Sequence, residues 1–343
     1  MNLWVVILAG GVGSRFWPLS TPTRPKQLLP LVGDRPLLVD TVERIVPLAP
    51  AARTLILTNA ELAAAVRTAV PDIPAANVLA EPRPAGTAAA LAWAAREIRA
   101  RAGAEAVMLC VHADWAVADA EGFRTALRTA ATVAEREHGL VTVGIVPTRP
   151  EIGYGYIQPG EPVAGGARRV ARFVEKPNRS RAEQLCAAGC LWNSGIFAWR
   201  VGDFLDEIAR HTPEVAPALA EATDATAFFE AVTPVTVDVG VLERSDRVFV
   251  VPGDFGWDDV GTWAALARVR RRDAHGNAAS GPVHALAASD NVVHAEGNAV
   301  VLYGVEGLVV VARPGVTLVT TVDRAAELKT LLDSLPDSLR EPA

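Results

Sequence analysis

Between Leu8 and Gln27 the chain reads Leu-Ala-Gly-Gly-Val-Gly-Ser-Arg-Phe-Trp-Pro-Leu-Ser-Thr-Pro-Thr-Arg-Pro-Lys-Gln, a glycine-rich loop followed by two positive charges, Arg15 and Lys26. Glycines let backbone N–H groups approach an anion closely, and the two cations can offset its charge, so the segment has the composition of a phosphate site. Lysine is scarce, since only Lys26, Lys176 and Lys329 occur among 33 basic residues. Where arginine is the default cation, a lysine inside a motif-like segment marks a position that wants a compact point charge. Gly10, Gly11 and Gly13 allow positive φ angles. Pro18, Pro22 and Pro25 are expected to keep the next segment extended, so that Lys26 returns over the bound anion. The segment is not a P-loop, and Phe16 stands where a Gly-x-Gly-x-x-Gly pattern needs its last glycine.

Carboxylates supply a second set of candidates. Asp114 follows the apolar run Ala106–Val111, at the strand end where open α/β sheets place ligands. The segment Asp254-Phe-Gly-Trp-Asp-Asp-Val-Gly-Thr-Trp263 puts Asp258 and Asp259 in a turn before a helix. Magnesium binds through one or two such carboxylates plus substrate phosphates, although Asp114 taken alone reads equally as a helix cap. Glu175 and Lys176, in Arg172-Phe-Val-Glu-Lys-Pro177, pair an acceptor for sugar hydroxyls with a cation for a sugar phosphate. Asn193, in Trp192-Asn-Ser-Gly-Ile-Phe197, can both donate and accept. Taken singly, Glu175 and Lys176 read as a surface salt bridge.

The block Leu8–Leu31 resembles the opening of the sugar nucleotidyltransferases. Phe16-Trp17-Pro18-Leu19-Ser20 with Pro25-Lys26-Gln27 is most similar to the mannose-1-phosphate guanylyltransferase family. The resemblance implies attack by mannose 1-phosphate on the α-phosphorus of GTP, with Mg²⁺ as cofactor and GDP-mannose and pyrophosphate as products. It implies catalytic roles for Arg15 and Lys26, and metal ligation by Asp114 and Asp259. Gly10, Gly11, Gly13, Ser14, Glu81 and Thr87 fall at the nucleotide, and Gly155, Glu175, Lys176 and Asn193 at the sugar phosphate. The chain departs from the family in two places. His112 and Trp115 flank Asp114 where proline and histidine are common, and Ala85-Gly86 precede Thr87 where an arginine-asparagine-threonine run is usual. The choice of guanine over other bases therefore rests on the resemblance. Alternatives are another sugar-1-phosphate nucleotidyltransferase, such as a glucose-1-phosphate adenylyl- or thymidylyltransferase or a heptose guanylyltransferase, and a non-catalytic sugar-nucleotide-binding relative.

The elements that must hold these residues alternate along the chain. Trp4–Ala9, Thr54–Thr58, Asn77–Ala80, Ala106–Val111 and Leu140–Val146 read as strands. Thr87–Arg101 and Ala120–His138 read as helices, Ser180 with Glu183 as a capping box, and Asp203–Val232 as a mostly helical insertion. This predicts an α/β fold, a doubly wound mixed sheet of Rossmann-like type, over residues 1–275. From 276 to 343 short apolar runs between turns predict a small β-rich domain ending in a helix over Arg324–Leu335, which the resemblance likens to a left-handed β-helix. Some relatives carry a fused isomerase domain, and 343 residues leave no room for one, so a monofunctional protein is expected.

A net charge of −6 gives no pull toward nucleic acid or an anionic membrane, and small-molecule substrates are the better expectation. Leu3–Ala9 is too short for a signal sequence and no run is long enough to span a bilayer, so a cytoplasmic location is expected. Cys110, Cys186 and Cys190 fit no metal framework and read as buried free thiols. The β-rich tail suits a homodimer contact or packing on the catalytic domain equally well.

Overall fold

The computed structural model of the chain describes residues 1–11 and 13–340, and of Ser14 and Asp337 the backbone alone. Two compact units interleave along the sequence. The first comprises Met1–Gly10, Val42–Ala113 and Asp119–Trp257, and the second Gly11–Thr41, Asp114–Ala118 and Asp258–Ala343. The division at 275/276 expected from composition follows the chain, whereas these units do not.

The first unit is built on one nine-stranded sheet. Its strands are β1 (Leu3–Leu8), β2 (Thr54–Asn59), β3 (Val78–Glu81), β4 (Val107–His112), β5 (Leu140–Ile145), β6 (Tyr156–Pro162), β7 (Arg168–Val174), β8 (Leu191–Arg200) and β9 (Val248–Gly253). The spatial order is β3-β2-β1-β4-β8-β5-β9-β7-β6. Strands β3, β2, β1 and β4 are parallel, which suits their continuous apolar runs, because a parallel sheet is covered on both faces. β8 lies antiparallel between β4 and β5 and makes the sheet mixed. Its place is secured by large buried rings, with Phe197 stacked on Trp199 and Trp199 on Phe204.

Helix Gly86–Ala102 buries Ala88–Ala95 and Ile98 in the core formed with β1, β2 and β4, where small side chains let helix and sheet approach closely. Helix Ala120–Glu137 starts at Asp119, whose carboxylate accepts the N–H groups of Glu121 and Gly122. The helix expected to open at Ser180 runs instead over Arg179–Ala187. Its cap is Asn178, which accepts from Arg181 N at 2.9 Å. The turn chemistry lies directly after Pro177, two residues before the Ser180 signal. β9 falls outside the sequence reading, since its run of four buried residues ends in Pro252-Gly253 and resembles a turn.

The second unit centres on Phe16, Trp17, Leu29, Leu31, Trp263 and Leu266, packed with Val292, Val309, Val311, Leu318 and Leu328. Here β10 (Ala278–Ser280), β12 (Val292–Ala295) and β14 (Leu308–Arg313) lie parallel, side by side. β11 (Val283–Leu286) and β13 (Val300–Tyr303) form a second parallel pair, so the chain steps alternately between two sheets before β15 (Val316–Thr321) turns back on β14. An asparagine ladder binds successive turns of this coil. Asn277 Oδ1 accepts from the backbone and side-chain N–H groups of Asn291, and Asn291 Oδ1 accepts from Leu308 N. Both asparagines are buried and paired, as buried amides must be.

Candidate active site

Lys26 is the centre of the second unit's polar cluster. It opens a short turn, Lys26–Leu28, and its side chain is only 7% exposed. Its Nζ donates to Asp114 Oδ2 at 3.0 Å and to the Asp259 carbonyl at 2.7 Å, and lies 5.8 Å from the Phe16 ring centroid. A buried ammonium is costly unless paired, and these partners come from positions 88 and 233 residues away in the chain. The loop closes on Lys26 because Gly13 lacks a side chain. A Cβ there would sit 2.4 Å from Lys26 Cβ, and its φ of +68° also favours glycine.

Of the three glycines only Gly13 uses the positive φ that glycine allows, and a Cβ on Gly11 would meet open space. One expectation for this loop is corrected. The chain between Pro18 and Pro25 is not extended. It folds back where Thr21 and Arg24 exchange two backbone hydrogen bonds, and this turn delivers Lys26. Arg15 is exposed, and of Ser14 the side chain lies outside the described atoms.

The neighbouring acids Asp258 and Asp259 have different tasks. Asp258 is buried, takes Arg268 Nε at 2.7 Å and Nη2 at 3.2 Å, and accepts from Val260 N. Asp259 Oδ1 accepts from Gly261 N at 3.1 Å while its carbonyl holds Lys26. Directly after them Val260 has a φ of +46°, a conformation that costs a β-branched residue about 1–3 kcal/mol and persists where surrounding contacts over-determine it.

A network that the sequence does not reveal brackets Lys26. Arg24 pairs with Glu296 at 3.1 and 2.9 Å, and Glu296 lies 3.5 Å from His294 Nε2. His294 Nδ1 is 3.1 Å from Arg270 Nη2, and Arg270 Nε donates to the Leu31 carbonyl at 2.6 Å. Burial and the Arg270 charge hold His294 down to about 4, so a neutral imidazole accepts a hydrogen bond from the guanidinium. The loop carrying Lys26 is thus tied to strand β12 on both sides.

In the first unit, Glu81 ends β3 with an oxygen 3.8 Å from where a Gly10 Cβ would stand. Burial pushes its carboxyl up to about 7. The folded form therefore holds a proton that the unfolded chain releases near 4.5, and ionising Glu81 weakens folding progressively as pH rises through that window. The 2.5-unit difference corresponds to roughly 3 kcal/mol above pH 7. We expect Glu81→Gln to raise the melting temperature at pH 8 and not at pH 4.5. Equal melting temperatures for variant and parent at both pH values would contradict this.

Thr87 lies at the start of helix Gly86–Ala102, and its hydroxyl accepts from Val237 N at 2.9 Å, an engagement the sequence does not signal. The sugar-phosphate candidates do assemble. Asn193 N donates to the Gly155 carbonyl at 2.8 Å, and a Cβ on Gly155 would lie 2.7 Å from Glu175 Oε2 and 3.5 Å from Asn193 Cβ, so the glycine admits both side chains. Lys176, with a φ of +38°, pairs with Glu175 at 3.2 Å and is 66% exposed. An ion pair this exposed adds little to stability. Asp238, absent from the sequence reading because it is a lone acid in an apolar stretch, accepts from Asn193 Nδ2 at 2.7 Å. Cys110 and Cys190 are buried free thiols, while Cys186 is half-buried. Among the described residues no helix is long and apolar enough to cross a membrane.

The nucleotidyl transferase family model matches residues 4–276. The chain is 36% identical to the xanthan biosynthesis protein XanB of Xanthomonas campestris, over 98% of this chain and 74% of that protein. It is 35% identical to a mannose-1-phosphate guanylyltransferase of Klebsiella pneumoniae, with the same coverage. A crystal structure from Thermus thermophilus, described as a mannose-1-phosphate geranyltransferase, superposes with a TM-score of 0.90 at 36% identity, over 97% of this chain and 99% of that one. Its mixed α/β architecture is the one found here. With a family match across most of its length and relatives at 35–36% identity along nearly all of it, the chain belongs to the nucleotidyl transferase family of enzymes.

Proposed function

We propose that this nucleotidyltransferase transfers GMP from GTP to α-D-mannose 1-phosphate, forming GDP-mannose and pyrophosphate. The observation that carries the reading is the buried Lys26 ammonium joined to Asp114 and to the Asp259 turn, a fixed cation flanked by acids beside a glycine loop. Relatives named for mannose 1-phosphate and guanylyl transfer support the choice of substrates.

Nucleotidyltransferases of this family generally use a divalent metal, and a nucleoside triphosphate and a sugar phosphate fit the family as substrates. Asp114 and Asp259 suit Mg²⁺, which prefers carboxylate oxygens. Mg²⁺ is usually bound by one or two carboxylates and completed by substrate phosphates and water. When bound, Mg²⁺ would supply charge compensation for the triphosphate.

The nucleophile, a phosphate oxygen, is already anionic, so positioning and charge neutralisation carry the catalysis without a general base. Lys26 and Arg15 offset triphosphate charge. The loop at Gly10, Gly11, Gly13 and Ser14 cradles the phosphates, and Glu81 and the O–H of Thr87 meet the nucleoside. Lys176 orients the incoming phosphate, and Gly155, Glu175 and Asn193 hold the sugar. A left-handed sense for the β-coil, a homodimer and a cytoplasmic site of action are further parts of this proposal.

The test is pyrophosphate release with GTP, ATP, UTP and dTTP against mannose, glucose and fucose 1-phosphates, with and without Mg²⁺. GTP with mannose 1-phosphate is expected to be fastest and to require the metal. A faster alternative pair would replace the substrates, and no turnover of any pair would replace catalysis with binding.

A further inference from the structure

The segment Val235–Leu242 is held with unusual care. Gly86, at φ +80°, leaves space that Val235 fills, since a Cβ there would lie 2.3 Å from the Val235 carbonyl oxygen. Ala88 N donates to that carbonyl at 3.2 Å, Thr87 Oγ1 accepts from Val237 N, and Thr212 Oγ1 donates to the Gly240 carbonyl at 2.9 Å. These contacts fix a single π-type turn, Asp238–Leu242, a rare conformation frequently found at functional sites.

Asp238 begins that turn. Its Oδ1 takes the Asn193 amide, and burial pushes its carboxyl up, with Asn193 and His112 opposing and the Glu175 charge adding to the rise. The Asn193 amide oxygen accepts a long 3.4 Å contact from Gly195 N. Acceptor oxygens of Glu175, Asp238 and Asn193 therefore gather where Gly155 removes bulk, and a neutral polyol rich in O–H donors matches them.

We propose that Asp238 is a sugar-binding residue: one carboxylate oxygen locks the Asn193 amide and the other accepts a hydrogen bond from a hydroxyl of the sugar 1-phosphate. The inference rests on the sugar-site reading of Glu175 and Asn193 given above. Asp238→Asn retains an acceptor for Asn193 but loses the second acceptor, whereas Asp238→Ala loses both.

Calorimetric titration with mannose 1-phosphate in EDTA is expected to give roughly tenfold or greater weakening in both variants, the size of a lost hydrogen bond to a charged group. The KM for GTP is expected to stay close to the parent value in both variants, and the melting temperature in Asp238→Asn, which keeps the acceptor for Asn193. Among 2-, 3-, 4- and 6-deoxy sugar phosphates, one is expected to bind the parent weakly yet lose little further in Asp238→Ala, as a shared hydrogen bond requires. Unchanged sugar-phosphate affinity, a normal Asp238→Asn variant, or equal losses for both substrates with a lowered melting temperature would overturn the proposal. Should the parent prefer another sugar 1-phosphate, the substrate assignment fails separately, and the same comparison on that sugar tests Asp238.

Discussion

Lys26→Ala is expected to lower turnover by roughly 10²-fold or more while the protein stays folded, the usual scale of a lost preorganised charge. The parent ammonium is 7% exposed and already aimed by Asp114 and the Asp259 carbonyl, so little reorganisation is needed when a triphosphate arrives. Removing it leaves Asp114 unpaired, but that side chain is 33% exposed and can be hydrated, which limits the cost to folding. Lys26→Arg is expected to fail as well. A planar fork cannot serve two partners placed for a point charge. Steady-state pyrophosphate release and a thermal melt check both variants, and near-normal turnover in Lys26→Ala would contradict the role.

The second large effect separates the adjacent acids. Asp259→Asn keeps the carbonyl that holds Lys26 and an acceptor for Gly261 N, so the turn should survive. It removes a charge from the proposed metal site, and turnover is expected to fall by about 10²-fold with the Mg²⁺ requirement shifted upward. Asp258→Asn is expected to do the reverse. It breaks the buried pair with Arg268 at 2.7 Å, lowering stability by about 1–3 kcal/mol with smaller losses in turnover. Turnover against Mg²⁺ concentration, with melting curves for both variants, decides the matter. An Asp258 variant that is stable and inactive beside an active Asp259 variant would contradict the division of labour.

What was legible in the sequence follows from the range of the interactions. β1 and β4 were readable because burial on both faces demands unbroken apolar runs, and Lys26 stood out because arginine replaces lysine nearly everywhere else. The resemblance gives Lys26 and Asp114 separate roles, and no spacing along the chain signals their pairing. Gly13 uses the positive φ that glycine allows and Gly10 and Gly11 do not, since glycine spacing reports permission and not need. Asp238, Arg270 and Glu296 left no local mark. Their partners Asn193, His294 and Arg24 are set by tertiary packing, which no spacing along the chain records. Thr87 was noticed for a nucleotide role, and its contact with Val237 is of the same non-local kind.

A crystal structure of the protein with Mg²⁺ and a non-hydrolysable GTP analogue tests the central claim most directly. The account predicts an ion ligated by the carboxylates of Asp114 and Asp259, with the triphosphate contacted by Lys26. An ion and triphosphate bound away from these three side chains would contradict it.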